Sequence, residues 1–274
     1  MQPHTSAPHV FDDAITLQSL DANQFSARTT DPYMNMVGPF GGITAAVVLN
    51  AVLQHPERIG EPISMTVNYA AAIAPGEFVV EAIPIRTNRS TQHWTLLVRQ
   101  GDSITTSATV FCGIRRDSWS EQELQAPVVP GPAELEPQPA GLNRVGWVNN
   151  YDFRFVRGNF NPLQPRPLED SLTQLWIRDL PLRTLDFAAL AALGDAFFPR
   201  VFTRRQTLVP AGTVSMTHYF HTSSARLTEV GTDYVLGQAR ATRAHNTYSE
   251  QSAHMWSGDG ELLLSSTQMA YYKE

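Results

Sequence analysis

One order of elements occurs twice in this sequence, and that duplication limits what the chain can fold into more than any single motif does. In the first half, two short strand candidates (14–20 and 24–30) precede an apolar helical stretch at 41–54, and four strands follow at 63–70, 77–88, 91–100 and 103–116. Turns at Pro75-Gly76 and Gly101-Asp102 separate them. The second half gives strands at 152–158 and 171–179, a helix at 186–197, then strands at 214–221, 234–245, 247–257 and 261–272. Ser64-Met65-Thr66 recurs in the equivalent strand as Ser215-Met216-Thr217. The helices align Asn50-Ala51-Val52 with Asp195-Ala196-Phe197, and the last strands align residues 107–110 with 265–268. Small drifts in offset are what loop insertions produce, so the chain reads as a tandem duplication of one α+β unit.

A connector divides the copies. Pro127, Pro130, Pro132, Pro137 and Pro139 fall within thirteen residues, and proline has no amide donor and a fixed φ, so this stretch predicts an extended link rather than a sheet element. The expected division is an N-terminal domain at 1–117, a proline-rich linker at 118–145 and a C-terminal domain at 146–274.

Residues 43–53 are apolar on nearly every helical face, so that helix must be buried all round. With four or more strands following a single long helix, a curved antiparallel sheet wrapped about it is the simplest way to bury it. This is the hotdog arrangement, and two copies make a double hotdog. The second helix has Asp186 as N-cap and is expected to run until Pro199 stops it. Asp195 lies within its last turns, where a carboxylate opposes the helix dipole and carries a desolvation cost of several kcal/mol unless it is paired or opens to a pocket.

Other classes of function are narrowed by composition. A net charge of −6 argues against nucleic acid, and Cys112, the single cysteine, removes disulfide frameworks and most cysteine metal sites. The first fourteen residues carry no Lys or Arg and no apolar core, so they do not read as a signal peptide. The most apolar windows, 43–53 and 185–198, are shorter than the roughly 20 residues a bilayer span needs. A soluble, cytoplasmic protein with no membrane contact is the expectation. His218 and His221 are three apart on a strand and should face opposite ways, which disfavours a metal. His93, Trp94, Trp176 and Trp256 read as packing or surface residues.

The stretches 39–52, 88–100, 194–200, 213–221 and 259–268, in this order and spacing, resemble the acyl-CoA thioesterase II (TesB-like) family of double-hotdog proteins. The resemblance covers essentially the whole chain apart from its ends and the linker. It implies hydrolysis of acyl-CoA thioesters by an Asp, a Thr or Ser, and a Gln that hold and activate water, with no cofactor and with assembly into a homodimer or larger. Matched position by position, it implies Asp195 at the end of the second helix, Thr213 at the start of the strand ending in Tyr219-Phe220-His221, and Gln268 beyond the Asp259-Gly260 turn. The chain departs from the family where Val-Ser-Met-Thr follows Thr213 in place of an Asp-His pair, and in a longer loop after His221.

The duplication sets Asn50 opposite Asp195, Pro62 opposite Thr213 and Val110 opposite Gln268, so one copy has lost the polar groups and one site is expected. Gly41 and Gly42 open the first helix, where free amides and the dipole favour an oxyanion, although a Gly-Gly pair also serves close packing. Coenzyme A is polyanionic, so local cations are required, and Arg86, Arg89, Arg204 and Arg205 are candidates. Two other readings compete. An enoyl-CoA hydratase would need an Asp and a His a few residues apart, which neither Asp31 nor the second half provides. A non-catalytic acyl-CoA binding protein of the same fold would have no reason to gather Asp, Thr and Gln.

Overall fold

The computed structural model describes residues 8–138, 145–161 and 168–274. The first seven residues of the stretch weighed as a signal peptide, and Pro139 with 140–144 of the linker, lie outside the described residues. The first half contains α1 (Val10–Ala14), β1 (Gln18–Ser19), β2 (Gln24–Arg28), α2 (Gly41–Gln54), β3 (Glu61–Tyr69), β4 (Glu77–Thr87), β5 (Thr91–Gln100) and β6 (Ser103–Gly113). The second contains β7 (Tyr151–Arg157), β8 (Thr173–Asp179), α3 (Phe187–Leu193), α4 (Arg200–Arg205), β9 (Ala211–Phe220), α5 (Ser224–Val230), β10 (Val235–Arg240), β11 (Ala244–His245), β12 (Tyr248–Trp256) and β13 (Leu262–Tyr272).

All thirteen strands join one antiparallel sheet in the order β1-β2-β4-β5-β6-β3-β9-β13-β12-β10-β8-β7, with β11 on β12. The order read from one end is, strand for strand, the order of the equivalent copy read from the other, as a pseudo-twofold axis between β3 and β9 requires. That axis passes through the repeated tripeptide. Thr66 lies directly opposite Thr217, its own counterpart 151 residues on, and their hydroxyl oxygens are 3.0 Å apart. Met65 faces His218 and Val67 faces Met216. The recurrence of Ser-Met-Thr is therefore the seam along which the two copies meet.

Helix α2 is buried from Gly42 to Val52 on every face, lying against β4, β5 and β6 on one side and α3 on the other. Each fully buried Val or Leu of this helix contributes on the order of 2 kcal/mol in transfer from water. This is the double hotdog that the sequence predicts, an α+β fold of two helices wrapped by one curved sheet. Three local expectations need correction. Helix α3 ends at Leu193, capped by Gly194, rather than running to 197, and Pro199 opens α4 instead of closing α3. Helix α4 has no counterpart among the expected elements, and α5 fills the longer loop expected after His221. Finally, the proline-rich connector forms no strand but is packed. Ala126, Val129 and Leu135 cover Trp176, Leu236 and Trp256 on the C-terminal copy, and the Pro130 carbonyl accepts from the Trp176 indole at 2.9 Å.

Candidate active site

Three elements converge on Asp195, and each does so for a local reason. Gly194 ends α3 where the chain touches the sheet, since a Cβ there would fall 2.6 Å from the His218 ring and 2.7 Å from Leu264. The chain turns at once, with the Asp195 amide donating to Ala192 O at 3.1 Å, and the carboxylate is only 7% exposed. It meets the N-terminus of α2. A Cβ on Gly41 would lie 2.6 Å from Asp195 Oδ2, and one on Gly42 would lie 2.6 Å from Ala192 O. The glycine pair therefore allows the close approach of two helix ends, and what it brings to the start of α2 is a carboxylate. Tyr69 donates its hydroxyl to Gly41 O at 2.8 Å. Burial, and then the Asp195 charge, push the Tyr69 phenol well above its ordinary range.

Gln268 stands on β13 and Thr213 on β9. In unbroken register a residue three positions before Met216, which pairs with Gln268, would face away from it. A bulge between Ser215 and Thr213 sets Thr213 opposite Ala270 and so returns it to the face of Gln268. The Gln268 amide then donates to Asp195 Oδ1 at 2.7 Å and to Thr213 Oγ1. Gln268 is 7% exposed, whereas Thr213 is half-buried. The structure thus brings Asp195, Thr213 and Gln268 into one bonded cluster beside Gly41 and Gly42. Burial raises Asp195 to about 7, opposed by the hydrogen bonds from Gln268 and the Gly42 amide.

Two residues of this cluster escaped the sequence reading. Gln251 lies directly across from Gln268 on β12 and donates its amide to Gln268 Oε1 at 2.5 Å. Arg200, from α4, donates to Gln251 Oε1 at 3.2 Å, to Thr173 Oγ1 at 2.6 Å and to Ser171 O at 3.2 Å. A guanidinium can only donate. Arg200 therefore fixes the carbonyl end of Gln251 toward itself, which points the Gln251 amide at Gln268 Oε1, which in turn points the Gln268 amide at Asp195 and Thr213. The alternation of buried Ser249, Gln251, Ala253 and Met255 along β12 was the signal that a glutamine sits on the core face. Arg200 has no such signal in its sequence context.

The pseudo-equivalent location lacks this chemistry. Asn50, inside α2, donates to Ile15 O at 2.8 Å, and Val110 occupies the place of Gln268 in the paired register, opposite Met65 as Gln268 is opposite Met216. Asp186, at the start of α3, caps Ala189 N at 2.8 Å and pairs with Arg183 at 2.5 Å. The other sequence candidates lie apart. His218 is wholly buried while His221 is exposed, and burial lowers the His218 imidazole to about 4. His93 is exposed against Phe111. Among the described residues no group of three or more His, Cys, Asp and Glu is placed to hold a metal ion, and no helix is long and apolar enough to cross a membrane.

Two helices wrapped by a single antiparallel sheet, with the end of one delivering a carboxylate to the start of the other, define a double-hotdog protein. The chain belongs to the acyl-CoA thioesterase family: residues 30–113 match the family model of the acyl-CoA thioesterase N-terminal domain, and residues 127–272 that of the C-terminal domain. Among solved structures, a conserved hot dog fold protein of unknown function from Alicyclobacillus acidocaldarius is similar at 46% identity, with a TM-score of 0.92 over 98% of this chain and 99% of that one. The acyl-CoA thioesterase II TesB2 from Mycobacterium marinum shares the fold at 16% identity and a TM-score of 0.76, over 96% of this chain and 98% of that one. The tesB protein of Mycobacterium avium subs paratuberculosis does so at 15% identity and 0.76, over 96% and 98%. No curated protein matches the chain significantly.

Proposed function

We propose that this chain hydrolyses acyl-CoA thioesters to free CoA and a carboxylic acid at one site, with Asp195 as general base. The observation that carries this reading is the Gln268 amide shared between Asp195 and Thr213, because it assembles an acceptor, a hydroxyl and a donor around one buried carboxylate. A water held by Asp195 and Thr213 gives a proton to the carboxylate as its oxygen bonds to the thioester carbonyl carbon. The tetrahedral intermediate then breaks its C–S bond, and the thiolate leaves with the proton from Asp195. A carboxyl near 7 suits both transfers, and such general-base assistance contributes roughly 10²- to 10⁴-fold.

The oxyanion takes its donors from the start of α2. Amides in the first turn have no helical partner, and the Gly42 amide already supports the carboxylate, which leaves Gly41 as the substrate-facing donor with Gly42 beside it. Gln251 and Arg200 act through Gln268 and are positioning residues. The family likeness supports a homo-oligomer, which light scattering on the purified protein checks.

Release of free CoA from short, medium and long acyl-CoAs tests the reaction. Asp195→Asn is expected to lower kcat by roughly 100-fold or more. Turnover within about tenfold of wild type, a loss under about 1.4 kcal/mol, overturns the choice of base, and stoichiometric acyl-CoA binding without CoA release supports the binding-protein alternative instead.

A further inference from the structure

Beyond α4, the ends of β10 and β13 and the turn from β10 to β11 enclose a cleft of about 300 Å³ lined by Arg200, Arg204, Arg205, Arg240 and Arg243. Five of the chain's twenty lysines and arginines thus converge on one cleft of a protein with net charge −6. Its lining holds one carboxylate, Asp170, and that group is already paired with Arg157 at 3.2 Å. Outside the cleft, Arg28, Arg154, Arg183 and Arg226 are paired with carboxylates, while Arg58 and Arg86 bond to neutral acceptors. Among the described residues, Arg205 is the one cleft arginine with a carboxylate partner, Glu274 at 2.9 Å, while Arg204 donates to the Leu168 carbonyl. Arg240 and Arg243 are exposed and their side chains make no hydrogen bond or ion pair among the described residues.

Arg200 is the second observation. It is 2% exposed, and every acceptor it reaches is neutral: the carbonyls of Phe198 and Ser171, Thr173 Oγ1 and Gln251 Oε1. A buried cation without a counter-charge is costly, and burial lowers its guanidinium to about 9. An anion in the cleft offsets that cost.

We propose that this cleft binds the phosphates of a nucleotide phosphorylated at both its 3′ and 5′ positions, and that the nucleotide is the adenosine 3′-phosphate 5′-diphosphate end of the CoA substrate. The assignment of source rests on the hydrolase reading above. Arginine forks match phosphate oxygens bidentately, with strong charge-assisted hydrogen bonds. The cleft also adjoins the candidate site, since its floor, Arg200, is linked to Asp195 through the Gln251 and Gln268 amides. Of the four arginines that the sequence suggested, Arg204 and Arg205 line this cleft and Arg86 and Arg89 do not.

The test is the double variant Arg240→Ala/Arg243→Ala, two exposed residues outside the Asp195 cluster, compared with wild type on an acyl-CoA and on the matching acyl-pantetheine. The expected result is a KM for acyl-CoA raised roughly ten- to a hundredfold, with kcat and all acyl-pantetheine kinetics unchanged. Calorimetry with adenosine 3′,5′-bisphosphate is expected to show binding to wild type that the variant loses. An unchanged acyl-CoA KM overturns the substrate assignment, and if the bisphosphate still binds wild type alone, the cleft takes a free nucleotide instead. Equal binding of the bisphosphate to both proteins overturns the cleft altogether. Should wild type hydrolyse neither thioester, the hydrolase reading fails, while loss of bisphosphate binding in the variant still upholds the anion site.

Discussion

Asp195 shows how one residue's surroundings set both chemistry and stability. Its carboxyl rises from 3.8 to about 7 because burial penalises the charged form more than Gln268 and Gly42 favour it. As the proposed base, Asp195 works deprotonated, so kcat/KM is expected to climb with pH through about 7, as a pH–rate profile will show. Between the two pKa values the native state holds a proton that the unfolded chain has released, so this residue's contribution makes stability fall as pH rises through that window. Asp195→Asn should therefore melt a few degrees above wild type at pH 8 and close to it at pH 4, measured by calorimetry. Gln251 offers a different test. Gln251→Leu frees the Gln268 amide to turn and weakens the bond that holds the carboxyl down. We expect kcat to drop roughly tenfold or more with KM little changed, and the midpoint of the pH profile to move upward. A purely structural role would lower Tm without moving that midpoint.

At the scale of elements, termini rather than helix bodies make the site. The sequence predicts one helix over 186–197 because the apolar run from Phe187 continues into Phe197 and Phe198, and a single glycine such as Gly194 costs a helix interior only about 1 kcal/mol. The reason the helix ends there is tertiary: only glycine fits against His218 and Leu264. Helix α4 was missed for a related cause. Its six residues are too few for a hydrophobic period to show, and Pro199, which the sequence predicts as a stop, serves as a start. The glycines opening α2 carry a sharper prediction. Gly41→Ala places a methyl 2.6 Å from Asp195 Oδ2, so kcat should fall by about 100-fold or more. Gly258→Ala, with nothing within 4 Å of its added carbon, should leave turnover unchanged. Both are read by free-thiol release on proteins of matched circular dichroism.

Over the whole molecule, the duplication leaves the Asp195, Thr213 and Gln268 cluster in one copy and Asn50 and Val110 at counterpart positions in the other. Asn50 keeps the helix position equivalent to Asp195 but spends its amide on Ile15 O, tying the N-terminal segment to α2. Asn50→Ala is accordingly expected to lower Tm, at a cost of about 1–2 kcal/mol for the carbonyl left buried, and to keep most of the activity, whereas Gln268→Ala should abolish most of kcat with Tm nearly intact. Equal kinetic damage from the two would contradict a single site. Linker packing belongs to this scale as well. Five prolines state that the connector cannot enter a sheet, but not that its apolar side chains and carbonyls lie over Trp176 and Trp256.

By itself the sequence determined the duplication, the fold class and the residue types at Asp195, Thr213 and Gln268. Periodicity and turn chemistry act locally, and a repeated order of elements survives divergence of the side chains between them. Only the tertiary structure decided how those residues meet. A bulge in β9 turns Thr213 to the right face, a helix end stops short to aim Asp195 at Gly41, and a donor-only arginine on an unforeseen helix sets the direction of two amides. Such outcomes depend on which backbone atoms come within a few ångströms across the fold, and no local pattern in the chain carries that information.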